Sequence, residues 1–498
     1  MVTPHFRLDA VPDLAPLREA FKQADFYGPT VAKTLAVQSI TEGTDVPLVM
    51  LRTEEPTPYH AIVRLFVLEQ VVPENRVRQA LSPMPLESLI AANLLKRCEG
   101  GVRSTTKLVP HDKFFFVSDY SYQEKNEPLP VDYVLGVGPS SVSLACLTIR
   151  KPAELGLDAG AGAGVQAILA SGHVKKIIAT DTNLRAVNFG QFNCRLNGID
   201  NIEFRTGGFF EPVQLEKFGV IAINPPFVIS PGSSLLYRDS GSAGDGVSEH
   251  VVRGAAQRLE EGGFASMLIN WHHKNQDDWN ERPTQWLADN GCDGWLIRFT
   301  DYEPQIYAAN WLRSTEGKDQ QRYSRLLREW TDYYKQAGYG RISAGAVVMR
   351  KRHCSKNWVR HDSMKRTQAV GPCSEHIVRI FEAETFVQNL VSDADLLERR
   401  FEPHPDLSIE QHLVMEDGSW AIRELMMNLS QGIPFTGHAD IHVLKLLSKA
   451  AGGPTVREII QFLATESGLE EAKLAPVCLE VVKKLVCSGM LIPAAAKA

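Results

Sequence analysis

Between residues 131 and 352 short apolar runs alternate with stretches of helical periodicity, and few folds accommodate that alternation. The runs are Leu155-Gly156-Leu157, Lys176-Ile177-Ile178-Ala179-Thr180, Ile202-Glu203-Phe204, Val220–Ile223, Ala265–Ile269, Trp295–Phe299 and Ala344–Met349. Strands this apolar are covered on both faces, and strands joined through helices run parallel beneath those helices. The expectation is an α/β fold built on a seven-stranded, doubly wound, Rossmann-like sheet.

In such a sheet ligands bind beyond the carboxyl ends of the strands, so the residues that close each run are the candidates for function. Asp158 closes the first run and is followed by Ala159-Gly160-Ala161-Gly162-Ala163-Gly164 before a helix at Val165–Leu169. The glycines let backbone approach a ligand closely. A dinucleotide fingerprint needs Gly-x-Gly-x-x-Gly with a pyrophosphate over the helix N-terminus. Here the spacing is Gly160-x-Gly162-x-Gly164 behind an acid, which suits a cofactor carrying an amino-acid tail instead. Asp181 ends the next run, where a carboxylate can accept both hydroxyls of a ribose.

The run Val220–Ile223 ends in Asn224-Pro225-Pro226-Phe227. Methylating a planar amine is difficult because the nitrogen lone pair is delocalised into the neighbouring π-system. Two acceptors side by side, the Asn224 amide oxygen and the Pro225 carbonyl, can take the two N–H groups and favour a pyramidal nitrogen. Pro226 has no N–H and a fixed φ, which stiffens the turn, and Phe227 offers a ring for a planar group to lie against.

At 498 residues the chain is long enough for about three domains. Hydrophobic residues at 44% and charged residues at 22% indicate a globular protein and exclude extensive disorder. Eight scattered cysteines form no Cys-x-x-Cys pair and have no histidines at zinc-ligand spacing, so reduced thiols and no metal site are expected. There is no signal-peptide pattern at Met1–Asp9 and no apolar run of membrane-spanning length, so the reading is a cytoplasmic protein with no membrane partner. His272-His273, beside Trp271, read as surface polar residues.

Residues 1–130 read as an accessory and substrate-recognition domain, with an N-capped helix after Asp13, a helix at Pro85–Leu95 and a hairpin across Arg103–Asp119. Residues 131–352 form the catalytic domain, 353–379 a basic linker and 380–498 a C-terminal domain with helices at Ile441–Lys449, Val456–Thr465 and Leu469–Cys487 before a closing strand. Both flanks are expected to be winged-helix-like α+β modules. The aromatic-rich stretch Lys274–Arg341 reads as elaborated helices near the substrate face. Arg341, Arg350, Lys351, Arg352, Lys356, Arg360, Lys365 and Arg366 stand against the single acid Asp362, the most basic stretch of the chain and a candidate phosphate contact.

The glycine turn, Asp181 and Asn224–Phe227, in this order, resemble the class I S-adenosylmethionine-dependent methyltransferases of the methyltransferase small domain group, across roughly residues 131–352. That group includes release-factor glutamine, ribosomal RNA guanine-N2 and adenine-N6 methyltransferases. The resemblance implies S-adenosyl-L-methionine as cofactor, with Asp158, Gly160, Gly162 and Gly164 along its methionine moiety, Asp181 at the ribose, Gly208 and Phe209 near the adenine, and Asn224–Phe227 at the target nitrogen. Val134–Ser141 resembles the segment that packs over the cofactor. One position departs. Relatives often carry Gly-Asp before Leu-Phe-Glu-Pro, the acid holding the adenine amine, whereas this chain has Gly208 before Phe209-Phe210-Glu211-Pro212, so backbone near Phe209 or another side chain must do so.

The implied substrate is a planar amino nitrogen of a macromolecule, for which an exocyclic base amine of RNA or DNA is preferred on the basic stretch and the two flanks. The alternative is a protein glutamine. Val228-Ile229 after the motif match the glutamine enzymes, whereas Phe227 stands where those enzymes favour tyrosine. A catalytically inert binding module is the third reading, and the oligomeric state is open.

Overall fold

The computed structural model describes residues 5–38, 41, 44–120, 129–232, 234–239, 241–316, 319–364, 372–433 and 435–494. Its centre is a mixed sheet of Ala153–Ala159 (β1), Val174–Asp181 (β2), Ile202–Thr206 (β3), Phe218–Ile223 (β4), Leu259–His273 (β5), Cys292–Tyr302 (β6), Arg341–Lys351 (β7) and Val359–Ser363 (β8). The spatial order is β8-β6-β7-β5-β4-β1-β2-β3. Strands β3, β2, β1, β4 and β5 are mutually parallel, and β7 runs antiparallel between β5 and β6. All seven expected strands are present, so the doubly wound architecture holds.

The count is eight, not seven. β8 comes from the stretch read as a linker: Trp295 on β6 donates to the Asp362 carboxylate at 2.7 Å, and Arg298 donates to Ser363 at 3.1 Å. Its sequence, Val-Arg-His-Asp-Ser, lacks the apolar run that marks a central strand, and none of its residues is fully buried. β4, by contrast, is buried at every position.

The chain divides into two compact units. Described residues of 1–145, 151–353 and 361–365 make up the first, and those of 146–150, 354–360 and 366–498 the second. The division expected at residue 130 does not separate two cores. Phe6, Leu17, Phe21, Phe66 and Phe116 share one apolar cluster with Phe189, Phe192 and Leu196 of the helix Leu184–Asn197. Three asparagines on that helix tie the two parts together. Asn188 accepts the Phe6 amide at 2.7 Å, Asn193 the Val117 amide at 2.8 Å and Asn197 the Phe115 amide at 2.8 Å. Each returns a bond to the carbonyl of the same residue, as a backbone rung would.

The expected hairpin is formed by Lys107–His111 and Phe114–Ser118. In the second unit the helices Ile441–Ala450, Val456–Ser467 and Glu471–Cys487 surround a core that includes Leu446, Ile460, Val482 and Leu485. The closing strand Leu491–Pro493 pairs with Phe401–Pro403, and a separate three-stranded antiparallel sheet spans Leu407–Ala439. No helix among the described residues is long and apolar enough to cross a membrane.

Candidate active site

Register alone brings the candidate residues to one edge. Ala159 on β1 is level with Thr180 on β2 and Ile223 on β4, so Gly160, Asp181 and Asn224 each stand one residue past the same rung. The chain must turn sharply after Ala159, and Gly160, Gly162 and Gly164 adopt φ of +75°, +54° and +78°. That left-handed region is inexpensive only for glycine. The Gly160 and Ala161 amides both donate to the Thr180 carbonyl, at 2.8 and 2.9 Å. A Cβ on Gly162 would meet nothing within 4 Å, so its backbone lies open to the cavity it lines.

Asp181 locks this turn. One carboxylate oxygen accepts the Gly162 amide at 2.8 Å and the other the Asn183 amide at 2.8 Å. Burial raises its pKa and the two amides oppose the rise. Asp158 is only 2% exposed and accepts the Ala167 amide at 2.8 Å. Burial lifts its pKa to about 7, the Ala167 amide opposing and the Asp181 charge adding to the rise.

Past β3, the Gly207 amide donates to the Asp181 carbonyl at 3.0 Å, and the Thr180 hydroxyl holds the Phe209 carbonyl at 2.7 Å. Phe209 lies against Gly160, where an added Cβ would come within 3.3 Å of its ring. The Gly208 amide donates to Glu211 Oε2 at 3.0 Å.

Past β4, the Asn224 amide donates through Nδ2 to the Ser140 hydroxyl at 3.3 Å. Its Oδ1 is buried with no hydrogen-bond partner among the described residues. The Pro225 carbonyl accepts the Phe227 amide at 2.8 Å in a three-residue turn, which leaves one of its lone pairs. Phe227 turns away from the cavity to meet Trp311 edge-on, with ring centroids 6.2 Å apart.

The turn is held from behind by residues the sequence reading gave no specific role. The Tyr307 hydroxyl accepts the Ile229 amide at 3.1 Å and the Tyr334 hydroxyl donates to the Ile229 carbonyl at 2.7 Å. Their helices, Pro304–Glu316 and Gln320–Ala337, fill the aromatic-rich stretch, and Tyr307, Trp330 and Tyr334 are buried in one cluster with Val228 and Ile229. The sequence indicated elaborated helices in this stretch; only the fold shows which loop they support.

A cavity of about 970 Å³ is lined by Asp158, Gly160, Gly162, Asp181, Gly208, Phe209, Asn224 and Pro226. Gly164, Pro225 and Phe227 stay behind its wall. Val134, Leu135, Gly136 and Ser141 cover it, as the segment before the sheet was expected to do.

Two other expectations change. His273 is not a surface residue: it is 4% exposed, with Nε2 at 3.0 Å from the Ser343 hydroxyl. The basic stretch is largely consumed internally. Arg350 and Arg352 pair with Asp293 at 2.8 and 2.6 Å, Arg341 with Asp301 at 2.7 Å and Arg360 with Glu384 at 2.9 Å. Lys365 and Arg366 lie outside the described residues.

Residues 140–282 match the family described as Methyltransferase small domain, and this segment is accordingly assigned to that class. Residues 34–105 and 379–493 match two domains of unknown function, DUF7059 and DUF7782. Among curated proteins the chain is 28% identical to the release factor glutamine methyltransferase of Aliivibrio fischeri, over 30% of this chain and 63% of that protein. It is likewise 28% identical to that of Xylella fastidiosa, over 24% of this chain and 47% of that protein. The chain thus spans less than two thirds of the length of the curated relatives it matches. Solved structures with which it aligns include Trm5b from Pyrococcus abyssi, with TM-score 0.30, 12% identity and coverage of 52% of this chain and 62% of that one. TYW2 from M. jannaschii in complex with AdoMet aligns with TM-score 0.30, 13% identity and coverage of 53% and 95%.

Proposed function

We propose that this protein transfers a methyl group from S-adenosyl-L-methionine to a planar amino nitrogen of a macromolecule. The observation that carries the reading is the buried, unpartnered Oδ1 of Asn224 beside a cavity that also reaches Asp158 and Asp181. A buried acceptor without a donor costs about 1–3 kcal/mol, a cost recovered when an N–H arrives. The cavity's other end fits the cofactor: an open glycine backbone, a carboxyl at Asp158 able to receive a cationic group, and the Asp181 carboxylate with lone pairs to spare for ribose hydroxyls.

The cofactor, when bound, supplies a methyl group on a positively charged sulfur. Asn224 Oδ1 accepts an N–H group of the substrate amine, which favours turning the nitrogen lone pair out of conjugation and stabilises the positive charge that develops on nitrogen. Ser140 fixes which end of the Asn224 amide faces the amine. The methylated nitrogen is acidic enough to lose its extra proton to water, so a dedicated base is not required.

For the substrate, the balance favours a protein glutamine over a base amine. The basic stretch that argued for nucleic acid is engaged in ion pairs with Asp293, Asp301 and Glu384, Val228-Ile229 match the glutamine enzymes, and the curated relatives are glutamine methyltransferases. A base amine is the second reading, supported by Phe227 at a position where glutamine enzymes favour tyrosine. Incubation with radiolabelled S-adenosylmethionine and cell extract separates them: label released by protease and not by nuclease is expected, and nuclease-released label moves the assignment to the base.

A further inference from the structure

The structure assigns to Glu211 the recognition of the cofactor's adenine amine, an inference that rests on the S-adenosylmethionine reading above. The argument begins with the missing acid at Gly208. The space that a side chain there would enter is already filled: a Cβ built on Gly208 would lie 3.3 Å from Glu211 Oε2, 3.4 Å from Cδ and 3.7 Å from Oε1. Glu211 has folded back across the tip of β3, and its Oε2 accepts the Gly208 amide at 3.0 Å. The carboxylate therefore sits where an acid at position 208 would have projected, and it lines the cavity.

Its capacity is unspent. Oε1 receives no hydrogen bond among the described residues, and the carboxylate has lone pairs beyond the one given to Gly208. The other carboxylates lining the cavity are placed or committed differently. Asp158 and Asp181 belong to the glycine turn. Asp239 accepts from Ser230, Ser234, Leu235 and Arg238. At the Glu211 end the remaining polar lining groups are His250, Arg253, Arg258 and the amides Gln214 and Gln257. Arg253 donates to Glu249, and neither arginine can accept an N–H. Phe209 completes the site as an apolar wall beside Gly160 for a flat base. A carboxylate acceptor next to an aromatic face selects a base that presents an exocyclic amine.

The test compares, by calorimetry on the full chain, S-adenosylhomocysteine with the analogue in which hydrogen replaces the adenine amine. The wild-type protein is expected to bind the amine-bearing ligand roughly tenfold or more tightly. Glu211→Ala should bring the two ligands within about twofold, and Glu211→Gln, which keeps one neutral acceptor, should fall between. Adding Gly208→Asp to Glu211→Ala should restore the preference, because position 208 has an ordinary φ and its side-chain space is then vacant. A Glu211→Ala protein that binds and keeps the full preference overturns the assignment while leaving the cofactor reading intact. A wild-type protein that binds neither ligand overturns both.

Discussion

The Asn224 side-chain amide is held by one atom, its Nδ2, at 3.3 Å from the Ser140 hydroxyl, and that bond leaves Oδ1 as the end without a partner. Ser140 lies in the first turn of the helix Pro139–Leu147, next to Ser141 of the cavity lining, so the orientation of the Asn224 amide is set from outside its own loop.

Removing that anchor should affect chemistry more than binding. Ser140→Ala frees the amide to rotate and is expected to lower kcat several-fold, an effect of about 1 kcal/mol, with cofactor affinity unchanged. Asn224→Ala should cost about 3–4 kcal/mol in turnover, again with cofactor affinity largely retained. Turnover of Asn224→Ala within a few-fold of wild type, measured beside calorimetry, would remove the motif from the mechanism.

Asp181 has two duties, and its variant should show both. Asp181→Ala removes the ribose acceptor and is expected to weaken cofactor binding by about tenfold to a hundredfold. It also releases the Gly162 and Asn183 amides, so the cofactor-free protein should melt at a lower temperature. Calorimetric affinity equal to wild type would show that the ribose does not use this carboxylate.

Asp158 predicts a pH dependence of unusual sign for a carboxyl. Its folded-state pKa of about 7 lies above the unfolded value of 3.8, so the folded form binds more protons in between. Its contribution to stability is complete below about pH 4 and is lost as pH rises towards about 7. Denaturant titrations should show Asp158→Asn losing less stability than wild type over that interval. A cationic ligand group beside Asp158 favours the carboxylate, so cofactor binding should strengthen as pH rises to about 7 and release protons below it. Calorimetry near pH 6 in buffers of different ionisation enthalpy will read that release directly.

Asp293, whose side chain is inaccessible to solvent, faces both Arg350 and Arg352. Asp293→Ala takes a shared, buried carboxylate away from two partly buried guanidinium groups and is expected to cost about 3–5 kcal/mol in denaturant unfolding. Neutralising Arg350 and Arg352 should likewise destabilise the sheet while leaving the salt dependence of any nucleic-acid binding unchanged. A salt slope that flattens by about 0.7–0.9 for each arginine removed would return both residues to a phosphate-contact role.

The parts of this molecule legible in its sequence are those where one strand or one turn determines the outcome. Central strands such as Val220–Ile223 are buried on both faces and read as apolar runs, and a turn needing positive φ at residues 160, 162 and 164 requires glycine whatever surrounds it. Asp181 and Asn224 were legible because each ends a strand. β8 was not, because an edge strand carries Arg360, His361 and Asp362 without penalty. His273 is polar by type, and its burial shows only once the fold brings Asn275, Asp301 and Ser343 around its ring. Glu211 was equally hidden, since its place depends on a side chain bending back over Gly208.

The asparagines at 188, 193 and 197 have a consequence for dissecting the protein. They make the first hundred or so residues a structural tenant of the sheet, not a detachable cap, because each side-chain amide binds both the N–H and the carbonyl of a residue in that segment. A fragment begun at residue 131 would strip all three asparagines of these backbone partners and bare the aromatic face of Phe189 and Phe192 to water. Grafting this sheet onto another module therefore requires carrying the Phe6 strap and the Phe114–Ser118 strand with it, as parts of the sheet's own chassis.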